Sequence, residues 1–451
     1  MVEWSRERIE QLAPDAASAK AGLGLARPAQ WRTLGKADQI VWGECQGSGA
    51  NPYQVRVALG DAGYRCTCPS RKQPCKHTLG LLYLYAAGAT FAANAPPVWV
   101  EEWLAGRAKR ADARAARESQ PNSAPVDAEA QVRRKEKRES RIALGLEQLQ
   151  AWMADIMTQG LANARTQPSS FWTQMASRLV DAQAPGLANR VRDMAAAVLS
   201  EERWSERLLG ALARMQLLLD AYKRMESLPP PLAAEVRSLV GWTQKQDELL
   251  AQSGTRDQWQ VIGRRQVSED TVRVQSTWLQ GAASHRLALV LDFAVGRQAF
   301  DSAYLLGQVY AAEVVFFEGA RPYRALLKLP AAMAGSSLQL TRALDVAGVE
   351  SGLGSALAEN PWIERWPAVV GPVRIVSVLD RWMLMDDHGR RLPLARSFRH
   401  GWSLAALAGG DSVNIFGEWD GIVFEPISVH CGAMLYSLEQ IEAMTVLAKA
   451  V

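Results

Sequence analysis

"CTCPSRKQPCKH" runs from Cys66 to His77 and gathers three of the chain's five cysteines and one of its five histidines. The spacing is Cys-x-Cys, six residues, then Cys-x-His. Residues two apart on a strand point to the same side, so Cys66 and Cys68 can offer both sulfurs to one point. Pro69 ends the strand, "SRKQ" turns the chain, and Pro74 stiffens the return. On a regular helix Cys75 and His77 would splay by about 200°. The spacing therefore predicts Cys75 just before a helix and His77 in its first turn. Three thiolates and one imidazole around a tetrahedral point match a closed structural zinc site, one ion, with no position left for water. A redox Cys-x-Cys pair needs no Cys-x-His downstream. A hairpin and one short helix bury little, and metal binding supplies stability they lack.

Working outward, residues 51–88 read as a ββα unit. Tyr53, Val55, Val57 and Leu59 alternate with polar or small residues, "GDAG" is a hairpin turn, and Tyr64 to Cys68 returns as the partner strand. "HTLGLLYLYAAG" reads as a short helix ending near Gly88. Ahead of them, helices are expected near Trp4–Leu12 and Asp15–Leu23, then a strand through Ile40 and Trp42. Together these make an N-terminal domain, 1–103. Cys45 is expected to pack within it.

Residues 104–141 carry 11 Lys/Arg against 6 Asp/Glu and almost no large apolar residues. Such a segment cannot build a core and reads as a basic linker with helical flanks. The net charge of +4 for all 451 residues therefore belongs to one segment. From 142 to 252 the period is helical: Leu146, Leu149, Trp152, Met153 and Ile156 share a face, as do Leu208, Leu212, Met215 and Leu219. "QPSS", "APG" and "LPPPL" separate four or five antiparallel helices. From 253 to 451, segments such as "RLALVLDFAV" and "AAEVVFFEG" read as antiparallel strands, one or two small barrels. The fold class is α+β multidomain: a small ββα zinc-finger-containing domain, a central all-α region and a C-terminal antiparallel β-rich region.

The four-ligand pattern resembles the SWIM-type zinc finger, and Cys66, Cys68, Cys75 and His77 match its ligands one for one. The wider stretch from "VWGECQGSGANPYQV" to "YRCTCPSRKQPCKHTLGLLYLY" resembles bacterial SWIM-containing proteins of similar length. That resemblance implies an association with MoxR-type AAA ATPases and a role in binding protein or DNA.

The sequence thus points to a zinc-binding, non-catalytic adaptor for a protein partner. The alternative is a nucleic-acid-binding protein using the finger's rim, Arg65, Arg71, Lys72 and Lys76, and the basic linker; Tyr64, Tyr83 and Tyr85 would then stack on bases. No phosphate-binding loop, dinucleotide loop or nucleophile elbow is present in the sequence. "MDDHG" at Met385–Gly389 reads as a hairpin turn in preference to an acid–base trio. His430 and Cys431 are strand neighbours facing opposite ways. Core packing is the default for sixteen tryptophans, with Trp99 and Trp103 around "VEE" the candidates for an exposed anchor. No apolar run suits a membrane span, and the N-terminus lacks the apolar region of a secretory signal, so a cytoplasmic location is expected.

Overall fold

The computed structural model describes the chain except residues 1–3, 48–50, 61–62, 71, 108–127, 200–202, 270–271, 297–299, 301–303, 334–342, 433, 439–440 and 442–451. Its elements follow from local chemistry. Helix α1 (Arg6–Leu12) starts at Ser5, whose hydroxyl accepts from the Arg8 N–H, and α2 (Ala16–Gly24) starts at Asp15, whose carboxylate accepts from the Ser18 N–H. Strands β1 (Trp31–Ala37), β2 (Ile40–Cys45), β3 (Tyr53–Ala58) and β4 (Tyr64–Cys66) form one antiparallel sheet in chain order. Helix α3 (Lys76–Ala86) packs on it. Val41, Val55, Val57, Leu79, Leu82 and Ile9 meet in a fully buried core. Helical residues 98–107 (α4) lie near the other face: the Arg56 guanidinium sits 5.2 Å over the Trp99 ring. Trp103 is buried and Trp99 half-buried, so neither serves as the exposed anchor considered from sequence.

Helix α5 (Ala128–Gln159) begins inside the stretch read as a linker and continues without a break into the bundle. It is followed by α6 (Leu161–Thr166), α7 (Ser169–Asp181), α8 (Pro185–Leu199), α9 (Trp204–Lys223), α10 (Pro230–Val240) and α11 (Gln246–Leu250). Prolines mark the breaks before α7, α8 and α10. Leu146, Leu149, Met153 and Ile156 of α5 are buried against Leu179, Val191, Leu212 and Leu219.

The β-rich half holds two antiparallel sheets. The first comprises β5 (Thr255–Glu269), β6 (Val272–Gly281), β7 (Leu287–Val295), β8 (Val309–Phe316) and β9 (Ala325–Ala332) in the order β7-β6-β5-β8-β9. It curls until Leu289 bridges Arg324, bringing its two ends together. After α12 (Val346–Glu359) come β10 (Trp366–Val378), β11 (Arg381–Asp386), β12 (Arg391–Pro393), α13 (Gly401–Ala408), β13 (Val413–Trp419), β14 (Phe424–Cys431) and β15 (Met434–Ser437). The second sheet is ordered β12-β11-β10-β13-β14-β15. The sheets meet where Ile262 and Trp278 pack on Val369, Phe416 and Ile427. Beside that seam the buried Glu418 carboxylate accepts from the Trp278 indole at 3.1 Å and pairs with Arg265 at 3.4 Å.

Side chains join all three regions. Leu305 enters the N-terminal core, and Tyr64 is buried close to Arg264 and Arg273 of the first sheet; burial raises its phenol against the pull of both cations. Trp362 inserts into the helical core and its indole donates to the Arg214 carbonyl at 3.1 Å. Arg207 pairs with Asp420 at 2.9 Å. Among the described residues no helix is long and apolar enough to cross a membrane.

Candidate metal centre

The hairpin sets the first two ligands. Val55 pairs with Cys66 and Val57 with Tyr64, so Cys66 shares the core face of the sheet with both valines. The regular strand stops at Cys66. Thr67 prolongs the pairing by one residue: its N–H donates to the Gln54 carbonyl at 3.2 Å and its hydroxyl accepts from the Gln54 N–H at 3.0 Å. Cys68 therefore lies just past the strand, and its own N–H points at Cys66 Sγ at 3.5 Å. The turn that follows is held by Ser70, which accepts from the Lys72 N–H, and by Gln73, whose amide donates to the Ser70 carbonyl.

Cys75 is the N-cap residue of α3, with extended backbone, and His77 lies in the helix's first turn, as the spacing requires. Cys75 Sγ and Cys66 Sγ are each 3.9 Å from His77 Nδ1. The four ligand atoms all lie within 4.8 Å of one another. A tetrahedron of sulfurs about 2.3 Å from zinc has edges of about 3.8 Å, so the cluster needs only a small contraction to close on an ion. The Tyr53 ring stands 4.8 Å from the His77 ring and screens that side. Cys68, Cys75 and His77 are buried and Cys66 is half-buried.

The donor chemistry agrees. Hydrogen bonds to Cys68 and Cys75 push the Cys66 thiol up, while Cys75, accepting from Cys66 and Cys68, is held well below the ordinary thiol range. Three sulfurs in mutual contact cannot all ionise without a compensating cation, which a divalent ion supplies. Cys66, Cys68, Cys75 and His77 are positioned to bind one zinc ion. Cys45 is outside the set: it is fully buried in the core and burial pushes its thiol up to about 11.

The fold and this centre define a zinc-finger protein with a helical bundle attached. Residues 53–86 match the model of the SWIM zinc finger, and residues 137–240 match that of the SWIM-associated four-helix bundle domain. No curated protein and no solved structure matches the chain.

The rim is less uniform than its sequence suggested. Arg65 and Lys76 are exposed. Lys72 is exposed but pairs with Asp15 at 2.7 Å, tying the ligand turn to the start of α2. Arg71 lies outside the described residues. Tyr64 and Tyr83 are buried in the core, and Tyr85 is half-buried with the Lys36 ammonium 4.9 Å over its ring, so these rings are packing residues and not a base-stacking platform. Arg56 was not singled out from sequence. It pairs in register with Arg65, is 6% exposed, and its guanidinium is pushed down to about 10 by burial and by Arg65. Its position opposite the valines of β3 was the available signal.

The other candidates resolve structurally. "MDDHG" is the β11–β12 turn: the buried Asp386 carboxylate accepts from the N–H groups of Val346, His388 and Arg390, while Asp387 and His388 are exposed. The Cys431 thiol lies 3.9 Å from the Leu407 carbonyl.

Proposed function

We propose that the protein is a zinc-stabilised, non-catalytic adaptor that mediates protein–protein interaction. The observation that carries this reading is a surface on the second β-sheet. Leu379 is 97% exposed at the tip of the β10–β11 hairpin, where it and Asp380 both adopt positive φ. That turn favours Asn and Gly, and leucine there gains nothing from burial in the free chain. Three residues on, Trp382 packs over Gly401 and meets Trp402 edge-on at 5.0 Å, and Trp402 is 76% exposed. An exposed tryptophan braced by a second is the anchor type that dominates protein interfaces. Arg399, exposed, lies three residues before Trp402 and favours a partner whose apolar anchor is flanked by a carboxylate.

The metal centre supports the non-catalytic part, since all four ligands come from the protein. In this reading residues 1–103, 142–252 and 253–451 act as one scaffold with the finger as a structural staple. The resemblance noted above names a MoxR-type AAA ATPase as the first partner to test. Affinity capture from the native organism, with tagged wild type and with Leu379→Asp/Trp402→Ala, should yield a protein partner that the double variant loses. Capture of nucleic acid alone, or a partner held equally by the variant, would contradict the proposal.

A further inference from the structure

Helix α5 leaves the bundle. Ile142 is its first residue in the helical core, and the side chains of Arg133, Arg134, Lys135, Glu136 and Lys137 are all exposed. Arg138 marks the exit: its guanidinium donates to the Gly241 carbonyl at 2.9 Å and lies 3.9 Å over the Trp242 ring. At 100° per residue, Arg134, Lys137 and Arg141 fall within an arc of about 60°. Glu136 and Glu139 fall about 100° or more outside it, and Glu139 pairs with Lys135, one turn earlier on the same side of the helix, at 4.0 Å. Lys137 and Arg141 are like charges at i,i+4, which oppose helix formation. The bundle holds the helix together against that repulsion, and a polyanion would relieve it.

We infer that the projecting start of α5, residues 133–141, docks in the major groove of duplex DNA, with the Arg134–Lys137–Arg141 stripe on the phosphates. The segment's own chemistry separates this from other polyanions. "RRKEKRESR" contains no apolar residue, so it lacks the face by which an amphipathic helix inserts into a membrane. It contains no aromatic ring on which the bases of a single strand could stack. A helix about 10–12 Å across fits the roughly 12 Å major groove of B-form DNA but not the deep, narrow one of duplex RNA. Exposure on every side, as at 133–137, suits a groove better than a flat protein surface. This interaction uses residues other than those of the protein-docking surface and of the finger's rim.

The test is fluorescence anisotropy with the full chain and a labelled mixed-sequence duplex of about 20 bp, titrated from about 50 to about 200 mM salt. Wild type should bind, with affinity falling steeply as salt rises. Arg134→Glu/Lys137→Glu/Arg141→Glu should weaken binding at least about tenfold at low salt and flatten the logarithmic salt slope by about 2 to 3. The corresponding glutamine triple variant, which removes charge without reversing it, should lie between. Arg65→Glu/Lys76→Glu should bind as wild type. The inference is overturned if wild type shows no binding at low salt, if the α5 variants bind unchanged, if the loss appears in the Arg65/Lys76 variant instead, or if single-stranded DNA or duplex RNA of equal length binds more tightly.

Discussion

Cys68 is the ligand with the least support from regular structure. It lies beyond the end of β4, and its N–H to Cys66 Sγ is the contact that ties it to the strand. Cys68→Ser should therefore abolish stoichiometric zinc, whereas Cys45→Ser, which removes a buried thiol from the N-terminal core, should leave one ion per chain; elemental analysis of both variants checks this. Acid should act in the same direction as the first substitution. Each sulfur must lose its proton to hold the metal, so zinc should be released as pH falls below neutral, read with a chromophoric chelator. At this scale the sequence was informative where chemistry depends on residue type and spacing alone. Two Cys/His pairs two residues apart suffice to name the metal site. The tyrosines were not legible in the same way, because whether Tyr64 and Tyr83 face water depends on residues far along the chain, including the first β-sheet.

Among the elements, α2 and α3 show how the His77 helix is held. Gly22 and Gly80 face each other across the contact: a Cβ on Gly22 would stand 2.6 Å from Leu79 Cβ, and one on Gly80 would stand 2.9 Å from Leu25 Cβ. Gly80→Val should force the helices apart and destabilise the N-terminal unit by about 1–3 kcal/mol, seen as a lower midpoint in thermal unfolding. The hairpin β3–β4, helix α3 and the faces of α5 and α9 were readable from periodicity. Three elements were not. β1, "WRTLGKA", lacks strict alternation because Gly35 makes room for the Trp42 ring. Helix α12 is rich in glycine, although Asp345 caps it by accepting from the Gly348 N–H at 2.8 Å. The start of α5 reads as the helical flank of a linker, but its continuity with the bundle was not legible because it lacks an apolar face; the helix continues there because the bundle has already nucleated it.

For the whole molecule, the finger is built into the structure and does not hang from it. Leu305 completes its core, and Tyr64 is buried beside cations of the first sheet. Withdrawing zinc with a chelator should speed amide exchange in β3, β4, α3 and residues 304–308 together, and leave α7 to α10 unchanged; hydrogen exchange read by mass spectrometry follows both regions at once. Substituting the exposed Trp402 by alanine should change stability by no more than about 0.5 kcal/mol, so that any loss of partner binding reports the surface and not the fold. The order of regions, finger, bundle and β-rich half, could be read from composition and period. Their mutual packing could not, because it rests on single side chains such as Trp362 and Leu305 that look like ordinary core residues in the sequence. X-ray absorption at the zinc edge tests the central claim most directly. The account predicts one zinc per chain with three sulfurs at about 2.3 Å and one nitrogen at about 2.0 Å; a spectrum with oxygen in the first shell, or protein without zinc, would contradict it.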